Sequence, residues 1–94
     1  MNRKQIHNCI KIAEYNGRSN QERQAVSELA ELSYVLTRRP EQRKSDWKTN
    51  LLDEIADVTI LLTQLSLLYG LSPEDIADRI DYKLNRQLDR IKGD

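Results

Sequence analysis

Four acidic residues interrupt the apolar patterns of two consecutive segments of the chain. They form two pairs with the same spacing, Glu28 and Glu31 in the first segment and Glu54 and Asp57 in the second. Glu28 lies three residues after Ala25 and four before Leu32, so on a helix it would face inward with them. Glu54 holds the equivalent position in the second segment. A carboxylate is rarely buried without a partner, because its desolvation costs on the order of several kcal/mol.

A divalent cation would compensate this charge better than the basic side chains of the chain itself. No Lys or Arg lies between Thr49 and Asp78, and Arg23 sits at a different angular position from Glu28 on their helix. Consecutive helices joined by about ten residues usually pack antiparallel, which would bring the two acidic pairs to one site. Oxygen ligands without His or Cys favour Mg²⁺ or Mn²⁺ over zinc, and Mg²⁺ typically keeps positions for water and phosphate oxygens. The pattern therefore indicates a magnesium site and phosphate chemistry.

A solvated helix edge is the competing interpretation of these acids. It would suit either pair alone, since acids commonly flank the apolar side of an amphipathic helix. The same spacing on two neighbouring helices favours the metal site instead. Asp53 lies one residue outside the apolar pattern and is expected to be solvated.

Four helices are predicted to position these acids, because the Gly and Pro residues lie where the apolar patterns break. The first helix is predicted to end near Asn16-Gly17, and the second to run from a cap at Ser19 or Asn20 to a stop at Arg39-Pro40. The third follows a basic connection of residues 39–48, carries its apolar face from Leu51 to Tyr69 and stops at Gly70. Ser72-Pro73 is the predicted start of the fourth. Glycine favours a left-handed stop, proline disfavours helix in the residue before it, and Ser-Pro is a typical helix start. The predicted fold class is all-α, a small four-helix bundle.

Length and composition favour one small cytoplasmic domain covering residues 1–94. Leu, Ile and Val make up 24 of the 94 residues, which exceeds the roughly 20% below which a charged chain tends to remain disordered. With no Phe and 32% charged residues the core must be aliphatic and thin, so self-association is expected. A single cysteine, Cys9, and the lack of an apolar leader or span fit an intracellular protein without a membrane segment. A formal net charge of zero makes a nucleic-acid partner unexpected.

The two acidic motifs resemble the signature of a known family. Glu28-Leu-Ala-Glu31 and Glu54-Ile-Ala-Asp57 are similar to the ExxE and ExxD metal-binding motifs of the MazG-like all-α nucleoside triphosphate pyrophosphohydrolases. The resemblance covers roughly residues 16–92, and its further matches are Gln21, Tyr69-Gly70-Leu71 and Lys83-Leu84-Asn85-Arg86.

The resemblance implies a four-helix fold that assembles as a homodimer or a dimer of dimers. It implies cleavage of the α–β phosphoanhydride of a nucleoside or deoxynucleoside triphosphate, giving a monophosphate and pyrophosphate, with Mg²⁺ or alternatively Mn²⁺ as cofactor. The implied metal ligands are Glu28, Glu31, Glu54 and Asp57. Glu31 and Glu54 would be catalytic, with Glu31 accepting a proton from the attacking water. The implied substrate contacts are Gln21, Lys83, Asn85 and Arg86.

Other interpretations stay open at this point. Lys83, Asn85 and Arg86 also fit a solvated helix end, where cations favour the helix dipole. Five basic residues, Arg38, Arg39, Arg43, Lys44 and Lys48, would either gather over phosphates or simply be solvated. Trp47 would either stack on a base or anchor the packing. The alternative function is a non-catalytic helical interaction module whose acids bind no metal.

Overall fold

A computed structural model describes residues 1–93 of the chain. These residues form four α-helices, one short 3₁₀ turn and no strand. The helices are α1 (Arg3–Asn16), α2 (Arg18–Thr37), α3 (Trp47–Leu68) and α4 (Pro73–Gly93), and the 3₁₀ turn is Pro40–Gln42. The all-α prediction is therefore confirmed for the part of the chain that is described.

The start of α2 differs from its predicted position. Gly17 has a φ of 82°, a conformation that glycine adopts readily, and it turns the chain directly from α1 into α2. Because the turn takes only one residue, α2 begins at Arg18, and neither Ser19 nor Asn20 caps it. The Asn20 side chain donates instead to the backbone carbonyl of Asn16 (2.8 Å).

α2 and α3 pack antiparallel, as the sequence predicted. Three hydrogen bonds mark their alignment: Arg18 to the Leu68 carbonyl (3.2 Å), Gln21 to Gln64 (2.6 Å) and Trp47 to the Val35 carbonyl (2.8 Å). The start of α2 thus meets the end of α3, and the end of α2 meets the start of α3. This alignment sets Glu28 opposite residues 54–57.

The interior of this arrangement is small. α3 is central, because α1 and α2 both pack on it and also on each other. The buried apolar residues are Cys9, Ala13, Ala25, Val58 and Leu61. Gln21 and Gln64 are buried as well, with 1% and 2% of their surface exposed, and they are hydrogen-bonded to each other. The core is therefore thin, as expected, and a polar pair occupies part of it.

α4 projects from the body formed by α1, α2 and α3, so one copy of the chain forms a three-helix body and not the predicted four-helix bundle. Gly70, with a φ of 72°, ends α3, and the Ser72 hydroxyl caps α4 by accepting a hydrogen bond from the backbone N–H of Asp75 (3.0 Å). Both predicted boundaries are confirmed. No residue of α4 is buried, and only its first turns, at Ile76 and Ile80, border an apolar groove along α3.

No single helix among residues 1–93 combines the length and the apolar character that a membrane crossing requires. α3 and α4 taken together meet both criteria, but the chain bends by 117° between them.

Candidate metal centre

Three acidic side chains converge where α2 faces α3. Glu28, Glu54 and Asp57 each place one carboxylate oxygen within 4.8 Å of the corresponding oxygens of the other two. Glu28 and Glu54 are half-buried, whereas Asp57 is exposed. The antiparallel alignment of the helices produces this cluster, because it brings Glu28 to two acids that follow it by 26 and 29 positions in the sequence.

The cluster lacks compensating partners. The Gln24 amide donates to one oxygen of Glu28 (3.0 Å), but the other oxygen of Glu28 and one oxygen of Glu54 are buried without any hydrogen-bond partner. Within residues 1–93 the only ion pair closer than 4.0 Å joins Arg39 and Glu41, outside the cluster. A buried polar atom without a partner carries its full desolvation penalty, so the metal-free site is electrostatically unfavourable.

This unfavourable environment raises the pKa of Glu54. Desolvation is the largest cause of its raised pKa, followed by the negative charges of Glu31, Glu28 and Asp57. Each of these effects disfavours the ionised carboxylate. A cation at the site would have the opposite effect.

The three carboxylates fit a hard divalent cation. Two oxygens bound to one Mg²⁺ lie at most about 4.2 Å apart, because each Mg–O distance is about 2.1 Å. The oxygens here lie within 4.8 Å, so small side-chain movements would close them around an ion. The group contains no His or Cys, which favours Mg²⁺ or Mn²⁺.

Glu31, the fourth predicted ligand, lies beside the cluster and not in it. Its side chain is exposed, and it is not among the three residues whose oxygens converge. Its charge nevertheless contributes to the raised pKa of Glu54, so it lies close to that carboxyl group.

The predicted substrate residues fall in two other places. Gln21 is 1% exposed and is held between Asn16 (2.7 Å) and Gln64 (2.6 Å), so its amide already has structural partners. Lys83, Asn85 and Arg86 are exposed on α4. Only the first turns of α4, up to Ile80, border α3, so one copy of the chain does not bring these three residues to the cluster.

Sequence reasoning missed two glutamines, one that contacts the acidic cluster and one in the core between the helices that carry it. Gln24 lies four residues before Glu28, one helical turn away, which was a readable signal for a hydrogen bond along α2. Gln64 lies within the apolar pattern of α3, and its isolated position there was the signal that it pairs with another buried polar group.

Comparisons of the chain with protein-family models, with curated proteins and with solved structures find no match. The resemblance to the MazG-like motifs therefore rests on the residues of this chain alone.

Proposed function

We propose that the chain is a Mg²⁺-dependent nucleotide pyrophosphohydrolase of the MazG-like type. It would cleave the α–β phosphoanhydride of an NTP or dNTP and release a monophosphate and pyrophosphate. One observation carries the proposal: carboxylate oxygens of Glu28, Glu54 and Asp57 converge, and two buried oxygens in this cluster have no partner.

The chemistry follows from these side chains. Glu28, Glu54 and Asp57 would hold the cation, and Glu31, exposed beside them, is available to accept the proton of the attacking water. A bound divalent ion would polarise the phosphoryl oxygens and lower the pKa of a bound water.

We propose that the active form is a homodimer or a dimer of dimers. A compact monomer of 11.0 kDa would expose about 5,600 Å², whereas this copy exposes 7669 Å². Its radius of gyration is 16.2 Å, against about 12.4 Å for a compact chain of this length. The excess of exposed surface over that of a compact monomer is larger than the roughly 800 Å² per partner that a standard interface buries. Apolar residues of α4 such as Leu84 and Leu88 contribute to this excess. A second copy covering α4 would also offer Lys83, Asn85 and Arg86 a route to the acids of its partner.

Pyrophosphate release from a panel of NTPs and dNTPs tests the proposal. Wild type is expected to release pyrophosphate from at least one nucleotide with Mg²⁺, and none in EDTA. Glu54→Gln keeps the shape and removes one ligand charge, so it should lose most of the activity. It should also lose most of the Mg²⁺-dependent stabilisation, which is about 2.7 kcal/mol when the ion is at 100 times its Kd.

Asp53→Asn is the matched control. It makes the equivalent charge change one residue away, at an exposed position outside the cluster, and should keep both activity and the Mg²⁺ effect. The proposal is wrong if Mg²⁺ and Mn²⁺ leave the wild-type melting curve unchanged and no nucleotide is hydrolysed. That result would favour the non-catalytic interaction module.

A further inference from the structure

A second cluster of side chains, basic and aromatic, lies at the connection between α2 and α3. The connection between α2 and α3 forms an open cleft of about 260 Å³ with the ends of both helices. Its lining includes two aromatic rings and three basic side chains: Tyr34, Trp47, Arg38, Arg43 and Lys44. None of Glu28, Glu54 and Asp57 lines this cleft, which comes no closer along α3 than Asn50, one helical turn before Glu54.

Both guanidinium groups in this cleft are held in place. Trp47 is anchored by its indole N–H, which donates to the Val35 carbonyl (2.8 Å), and the Arg43 guanidinium lies 3.9 Å from its ring centroid. Arg43 also donates through Nε to the Arg38 carbonyl (3.0 Å). The Arg38 guanidinium lies 4.8 Å from the centroid of Tyr34 and donates to the hydroxyl of the same residue. Stacking on aromatic rings restricts each guanidinium while leaving other N–H groups free to donate.

No ion pair among the described residues neutralises the positive charge of the cleft. None of Arg38, Arg43 and Lys44 forms an ion pair among residues 1–93, whereas the neighbouring Arg39 pairs with Glu41 (3.5 Å). Within the described part of the chain, Asp46 is the one acidic residue that lines the cleft. Three cations against one carboxylate favour an anionic ligand.

We propose that this cleft is a binding site for a small free oligophosphate anion such as pyrophosphate or tripolyphosphate. Two pre-positioned guanidinium groups and a nearby ammonium match the several charged oxygens of such a ligand, and charge-assisted hydrogen bonds of this kind are the strong ones. The cleft, at about 260 Å³, has room for such an anion beside the guanidinium groups. Binding here requires no metal, so it is independent of the proposed catalytic site.

Trp47 is the single tryptophan of the chain, and its fluorescence therefore reports directly on this cleft. Wild type is titrated with sodium pyrophosphate and tripolyphosphate in EDTA at constant ionic strength, with isothermal titration calorimetry as a second measurement of Kd. We expect a saturable emission change. Arg43→Gln and Arg38→Gln should each weaken binding by at least about tenfold, because each removes a charged donor.

Arg39→Gln is the matched control. It removes the same charge from the same connection, but Arg39 does not line the cleft and is paired with Glu41. Its Kd should stay within about twofold of wild type, since exposed charges act weakly at a distance in salt. Circular dichroism checks that all variants fold as wild type does.

Several outcomes would overturn this assignment. No saturation at millimolar pyrophosphate, or equal losses in Arg43→Gln and Arg39→Gln, would mean that the cleft is only a solvated basic connection. Binding that requires Mg²⁺ or is lost in Glu54→Gln would place the anion at the acidic cluster. Tighter binding of a short single-stranded DNA at equal ionic strength would identify a nucleic-acid backbone as the ligand.

Discussion

Glu54 makes the stability of the metal-free protein depend on pH. Its pKa is raised above the ordinary value of 4.5 by desolvation and by the charges of Glu31, Glu28 and Asp57. The folded state therefore binds the proton more tightly than the unfolded state does. This contribution to stability is fully present below pH 4.5 and is lost as the pH rises through the raised pKa.

We predict that the melting temperature in EDTA falls between pH 4.5 and the raised pKa of Glu54, and that Glu54→Gln reduces this fall. The glutamine cannot ionise, so its folded state loses nothing as the pH rises. Thermal melts at a series of pH values measure the difference. Asp53→Asn should leave the pH profile unchanged, and an identical profile for Glu54→Gln would show that folding does not raise the pKa of Glu54.

The buried pair Gln21 and Gln64 supports a second prediction. Replacing one amide leaves the other without its partner, so Gln64→Met should lower the free energy of unfolding by about 1–3 kcal/mol. The double variant Gln21→Met/Gln64→Met removes both polar groups and should lose much less than the sum of the single losses. Urea unfolding of the four proteins in this cycle measures the coupling. Strictly additive losses would show that the 2.6 Å hydrogen bond contributes nothing specific.

Among the helices, α4 depends most on the hydrogen bonds at its own N-terminus for its stability. No residue of α4 is buried, so packing contributes little to it. Its first turn is held by the Ser72 cap and by the backbone N–H of Ser72, which donates to the Asp75 carboxylate (3.3 Å). We predict that Ser72→Ala lowers the free energy of unfolding by about 0.5–2 kcal/mol and reduces helix content. Mg²⁺ affinity should be unchanged, because no residue of α4 belongs to the acidic cluster.

Two variants control this experiment, which combines circular dichroism, chemical unfolding and Mg²⁺ titration. Ser72→Asp keeps a side-chain acceptor at the cap and should retain most of the stability. Ser33→Ala makes the same substitution in the exposed interior of α2 and should be nearly neutral. If Ser72→Ala abolished Mg²⁺ binding without a loss of stability, α4 would have to contribute to the metal centre.

For the whole molecule, the exposed apolar surface predicts self-association. A thin core of five apolar side chains cannot cover the stripe of α4, in which Ile80, Leu84 and Leu88 are 51%, 50% and 53% exposed. Analytical ultracentrifugation at micromolar concentration is expected to show a dimer or tetramer. Leu84→Glu should shift it towards the monomer by placing a charge in the apolar stripe, whereas Tyr15→Glu, at a residue 91% exposed on α1, should not. An active species that sediments at 11.0 kDa would contradict this prediction.

The local features of this fold could be predicted from the sequence. The stop at Gly70, the cap at Ser72 and the inward positions of Glu28 and Glu54 depend on residues within one or two turns, and those signals are readable along the chain. The convergence of the two acidic motifs was also predictable, because a short connection between two helices favours antiparallel packing.

Only the tertiary structure decided which acids converge, which amides pair and where α4 lies. Asp57 joins the cluster while Glu31 stays beside it, and Gln21 meets Gln64 across 43 positions of sequence. These outcomes depend on the rotation and register of α3 against α2, to which every residue along both helices contributes. The position of α4 could not be predicted for the same reason. The spacing of its apolar residues predicts an apolar face, but packing between helices and between copies of the chain decides which surface covers that face.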